Sequence, residues 1–160
     1  MKKLHHLISL VLLVTILSCS ENKSHFEQMQ KEQPFTSRIL SLNKTIEDVR
    51  LIEKGELVKE DLSFLSFLYK IGKNDTYEVS YLFDEKGCYE IGIDGYFSLE
   101  KDAVNVVEGI QKEMNSSEFI ENGNDNSLYR WINKDESVAI ELDYKDTARG
   151  LFVVTIFANE

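Results

Sequence analysis

Tyr77-Glu78-Val79-Ser80-Tyr81-Leu82-Phe83 and Cys88-Tyr89-Glu90-Ile91-Gly92-Ile93 flank the tetrad Asp84-Glu85-Lys86-Gly87, and on both sides apolar residues alternate with small or polar ones. A period of two marks a strand with one buried face. The glycine after Asp-Glu-Lys offers the positive φ of a tight turn, so the stretch predicts a β-hairpin. The pattern returns over residues 128–132, 137–144 and 151–157, with polar breaks at 133–136 and 145–150. Residues 64–71 fit a helical turn followed by a strand: Leu65, Phe67, Tyr69 and Ile71 alternate, while Val58, Leu62 and Leu65 also suit helical spacing. Six strands are expected.

Two stretches change the period to that of a helix. Thr45 can cap Ile46-Glu47-Asp48-Val49-Arg50-Leu51-Ile52-Glu53, whose early acids favour the helix dipole, and Gly55 offers a left-handed stop. Ser98 can cap a longer helix in which Leu99, Ala103, Val106, Val107, Ile110 and Met114 form one apolar stripe. The halves also look alike. Leu68-Tyr69-Lys70-Ile71 resembles Leu128-Tyr129-Arg130-Trp131, and Val79, Phe83, Asp84 and Lys86 match Val138, Leu142, Asp143 and Lys145. In the helices Val49, Ile52 and Glu53 match Val104, Val107 and Glu108. The expected fold is α+β, a mainly antiparallel sheet with helices packed on one face, arranged as two α-β-β-β units.

The N-terminus carries an address. Lys2 and Lys3 precede an apolar run over residues 7–17, interrupted only by Ser9 and Thr15 and followed by Ser18-Cys19. Residues 7–18 as a helix would reach roughly 18 Å, short of a hydrocarbon core of about 30 Å, so the run is a signal and not a span. Ile16-Leu17-Ser18-Cys19 resembles the lipobox of bacterial lipoproteins, which implies a signal peptide at 1–18 and lipid attachment at Cys19. Ser20 does not resemble the aspartate that retains lipoproteins in the inner membrane of enteric bacteria, so the resemblance implies a lipid-anchored envelope protein, in the outer membrane where the envelope is Gram-negative. Residues 19–35 read as a polar flexible tether and 36–160 as a single domain.

The 160 residues carry 28 acids against 18 bases, and loss of Lys2 and Lys3 moves the formal charge from -10 to -12. That field repels nucleic acid and anionic lipid. His5, His6 and His25 fall in the signal and tether, leaving the expected domain without imidazole, and no catalytic, cofactor or metal set is assigned. Cys88 reads as a structural thiol. Glu90 and Asp94 share one side of a strand but lie roughly 13 Å apart, too far for paired carboxylate chemistry at about 5 to 9.5 Å. Residues 121–127 gather Asn, Gly and Asp, which suits a loop better than a calcium site.

Asn43-Lys44-Thr45-Ile46-Glu47-Asp48-Val49, together with the hairpin over 77–93, resembles beta-lactamase inhibitor protein-like domains and small outer-membrane assembly lipoproteins. Asn43 and Glu56-Leu57 stand where those families carry glycine and glycine-proline. The resemblance implies a protein-binding module without catalysis. Two roles remain open: an envelope binding or assembly module, and an acidic inhibitor or immunity protein that neutralises a basic toxin or secreted enzyme. Tyr77, Tyr81, Tyr89, Tyr96, Tyr129 and Trp131 are candidates for sheet packing or partner contact, and Glu78, Glu90, Asp94, Asp135, Glu136 and Glu141 for steering a basic partner. Cys19→Ala should abolish incorporation of labelled fatty acid and move the protein from the membrane to the soluble fraction.

Overall fold

The computed structural model describes residues 23–159, so the signal segment and Cys19 lie outside the described residues. Its strands are β1 Glu56–Asp61, β2 Phe64–Ile71, β3 Asp75–Asp84, β4 Gly87–Tyr96, β5 Ile120–Asp125, β6 Leu128–Ile132, β7 Val138–Asp143 and β8 Leu151–Ala158. They form one antiparallel sheet in the order β1-β2-β3-β4-β8-β7-β6-β5. Helices α1 His25–Glu32, α2 Ile46–Ile52 and α3 Glu100–Asn115 join a 3-10 helix, Phe35–Ser41, in covering one face, which makes the fold α+β.

Alternation puts the core on that face. Leu65, Tyr81, Ile91, Ile156, Ile140 and Trp131 stand side by side across six strands, all fully buried. Ala103, Val106, Val107, Ile110 and Met114 of α3 are buried as the stripe requires, whereas Leu99, at the cap position, is exposed. Ser98 makes no cap there; its amide donates to Asp75. Thr45 does cap α2, accepting the Asp48 amide at 3.2 Å.

Several expectations are corrected. Eight strands are present among the described residues, four after α2 and four after α3, so each half has one strand more than the three expected. The additions, β1 and β5, are the sheet edges, exposed along their whole length and without apolar alternation. The helical turn expected before β2 is instead β1 and a turn at Leu62, which is 100 % exposed. Residues 121–125 belong to β5, and Asn126-Ser127, both with positive φ, make the two-residue turn to β6. Gly55 does not terminate α2 in a left-handed conformation; a Cβ there would come within 2.6 Å of the Tyr69 ring. The likeness between the helices fails at its charged member, because the Glu53 side chain is buried and Glu108 is exposed.

The largest correction concerns residues 24–35. Ser24 and Glu27 close a capping box, in which Ser24 Oγ accepts the Glu27 amide at 3.2 Å and the Ser24 amide donates to Glu27 Oε2 at 2.9 Å. Helix α1 follows, with Met29 buried, where a tether was expected. Phe26 lies on Gly109 of α3, where a Cβ would come within 2.3 Å of the ring. Glu113 of α3 accepts hydrogen bonds from the Gln30 side chain and from the Thr36 amide, tying α1 and the 3-10 helix to the same support.

Beneath this roof lies a buried ion pair. Arg38, 2 % exposed, donates to Glu53, whose side chain is wholly buried and also accepts from the hydroxyls of Tyr69 and Tyr81. Burial alone would favour a neutral guanidinium, but Tyr81, Glu53, Tyr69 and Tyr77 outweigh it and hold the Arg38 pKa above its ordinary value. The same burial, together with Glu53, pushes the Tyr81 hydroxyl up. Glu53→Ala would leave a buried cation without its carboxylate, a loss of about 3 to 5 kcal/mol. A denaturant titration should show that loss, while Glu108→Ala on the exposed side of α3 should change stability by less than about 0.5 kcal/mol.

Candidate functional site

The face of the sheet away from the helices is the broadest candidate. Ser66, Ser80, Gly92, Thr155, Glu141 and Arg130 form a central row across it. On one side stand Phe64, Leu82, Glu90, Phe157, Ala139 and Ile132, and on the other Leu68, Glu78, Asp94, Val153, Asp143 and Leu128. Ser66, Ser80, Gly92 and Thr155 keep the central row small over four strands, between two rows that mix apolar bodies with carboxylates. Lys59 lies over the Phe64 ring at 4.7 Å, and Arg130 over Phe157 at 5.9 Å.

Glu78 and Asp94 are direct partners in the β3–β4 register. Like charges opposed on neighbouring strands destabilise a sheet. Burial raises the pKa of Asp94 first and the Glu78 charge raises it further, while Ser66 donates its hydroxyl to Glu78. Burial, Asp94 and Glu78 also push up the Tyr96 hydroxyl, whose side chain is 46 % exposed. Glu141 is placed differently, 3.6 Å from Arg130, with which it forms an ion pair.

Four of the six steering candidates, Glu78, Glu90, Asp94 and Glu141, therefore share this face, and Asp143 joins them. Asp135 and Glu136 sit in the β6–β7 turn instead. Among the aromatics Tyr77, Tyr81 and Trp131 are buried under the helices, and Trp131 Nε1 donates to Asn115 at 3.3 Å. Tyr129 stacks on Trp131 and Tyr144. Tyr89 and Tyr96 are left exposed. Cys88 is fully buried, and its thiol pKa is pushed up to about 12 by that burial.

A second candidate was not visible in the sequence. His25, Asp75 and Asp102 converge from α1, β3 and α3 in the lining of an open cleft of about 900 Å³. His25 Nε2 is 2.9 Å from Asp75 Oδ2, and its Nδ1 is 3.4 Å from Asp102 Oδ1. Asp75 Oδ1 accepts the Ser98 amide at 2.7 Å. Burial opposes ionisation of Asp75, but the Ser98 and His25 contacts prevail and hold its pKa below the usual carboxylate range. The folded part thus contains an imidazole after all, because α1 belongs to it. Ser24-His25-Phe26-Glu27, with its capping-box spacing, was the available signal for that helix.

No family model, curated protein or solved structure matches the chain.

Asp94 gives the open face a testable signature. Because its folded pKa is raised, ionisation costs stability once pH rises above the ordinary aspartate value of 3.8, and the cost is complete above the raised value. Asp94→Asn should therefore increase the melting temperature at pH 7, and the gain should vanish below pH 3.8, where the carboxyl is protonated in both states. Thermal melts across that range check both the sign and the window.

Proposed function

We propose that this chain is an envelope lipoprotein, acylated at Cys19 and held in the outer membrane, that binds another protein through the open face of its sheet and carries out no catalysis. The observation that carries the reading is the like-charged Glu78–Asp94 pair on an open face that also presents the half-buried Phe64, Leu68, Leu82, Phe157 and Ile132. An arrangement that weakens the free fold is retained where a ligand uses it. Val153, 40 % exposed in the row of Glu78 and Asp94, supplies apolar contact next to charge, the mixture that protein interfaces use at their rims. The partner is a basic protein surface, since long-range attraction speeds encounter while desolvated contacts hold the complex.

The same charge supports a second role, an acidic inhibitor or immunity protein that neutralises a basic toxin or secreted enzyme. Both roles use one surface and differ in the partner. We also read the two halves as copies of one helix-and-meander unit. The asparate turns support this: Asp84 accepts the Lys86 amide at 2.7 Å at the end of β3, and Asp143 accepts the Lys145 amide at 2.9 Å at the end of β7.

Site-specific photo-crosslinking in intact cells tests the surface. A crosslinking side chain at Val153 or Thr155 should yield a discrete adduct with a basic protein, and Asp94→Lys should reduce its yield at least tenfold. Adducts that form equally from Glu108, on the exposed side of α3, would overturn the assignment.

A further inference from the structure

We propose that His25 and Asp102 bind a divalent transition-metal ion of the zinc class, with Asp75 as the carboxylate that orients the imidazole. Three stretches of chain distant in sequence bring these side chains together, all of them part-buried, and one ligand atom from each lies within 4.8 Å of the others. The two ring nitrogens have different surroundings. Nε2 meets Asp75 at hydrogen-bonding distance, 2.9 Å, and Asp75 is itself fixed by the Ser98 amide on its other oxygen. That contact places the ring proton on Nε2, as in the carboxylate–histidine–metal arrangement, and turns the Nδ1 lone pair toward Asp102.

The distance on that second side fits a ligand pair. An imidazolium donating to a carboxylate stands at about 2.7 to 2.9 Å. Nδ1 and Asp102 Oδ1 are 3.4 Å apart. Two ligands on one tetrahedral zinc, with bonds of about 2.0 to 2.1 Å, stand about 3.3 Å apart. The pair therefore has the spacing of two ligands on one ion. An imidazole nitrogen in the set favours zinc and its neighbours over magnesium or calcium, which take oxygen. His25 and Asp102 line the cleft together with Lys23, Lys31, Lys101 and Glu32, so water or a small anion from the cleft would complete the shell. An ion held this way joins α1 to α3 and adds its binding free energy to the docking of α1.

The test uses the full chain carrying His5→Asn and His6→Asn, which leaves His25 as its only imidazole. Titration with zinc chloride, followed by nitrogen NMR of the labelled ring, should shift Nδ1 while Nε2 keeps its proton, and the melting temperature should rise. His25→Gln and Asp102→Asn should each weaken zinc binding by at least roughly a hundredfold. Asp75→Asn, which touches no metal, should weaken it by about 10 to 100-fold. Protons on both ring nitrogens with no response to zinc would overturn the site in favour of a plain imidazolium clasp. An unchanged zinc affinity in His25→Gln would overturn it as adventitious binding elsewhere. The ring spectrum is read on the chain that retains all three residues, so the outcome does not depend on any variant folding.

Discussion

Arg38 and Glu53 can occupy the interior only together. Each would be too costly alone in a low dielectric, so their pairing brings the 3-10 helix and the end of α2 to one point above the sheet. Tyr69 from β2 and Tyr81 from β3 donate to the same carboxylate and so fix where that point lies. The seven residues of α2 are too few for a helix to persist on its own propensity. Its stability comes from the Val49 contact with the core and from this anchor. Support then passes along the roof: Glu113 holds Gln30 and Thr36, Gln30 accepts the Phe35 amide at 3.2 Å, and Phe26 rests on Gly109.

One alternation serves two unlike surfaces. Tyr77, Val79 and Tyr81 go under the helices while Glu78, Ser80 and Leu82 go to the other side, so the strand that builds the core also sets the row of charge. On the covered side one carboxylate is shared by an arginine and two tyrosines. The open side leaves two carboxylates opposed. The packed core and the open-face charges thereby stand on opposite faces of the same strands.

The parts of the fold legible in the sequence are those with a buried face. The β3–β4 hairpin and the α3 stripe could be read because Val79, Tyr81, Ile91 and Ile93, and Val106, Val107 and Ile110, repeat at the period of their element. Edge strands β1 and β5 could not, since Leu57, Val58 and Ile120 are exposed and backbone hydrogen bonds to a single neighbour leave no mark on side-chain order. Helix α1 was missed, although Ser24 and Glu27 have capping-box spacing, because residues 20–33 are polar, and nothing in the sequence marked Gly109 of α3 as the seat of Phe26. The open-face acids followed from alternation alone. The meeting of His25, Asp75 and Asp102, like that of Arg38 and Glu53, depends on how separate elements pack, and a periodicity within one element carries no information about that.

The seam between β4 and β8 has a consequence for assembly of the fold. Each meander pairs neighbours in the chain, but the seam joins residues about sixty positions apart, such as Ile93 with Val154. Pairings of that range close late, because the intervening chain must be ordered first. β8 lies between β4 and β7, so neither has its full set of ladders until β8 joins the sheet. Until then each presents a row of unsatisfied amides and carbonyls. A chain interrupted before Leu151 would consequently leave both edges open, whereas the eight-stranded sheet of the described residues keeps them at its centre.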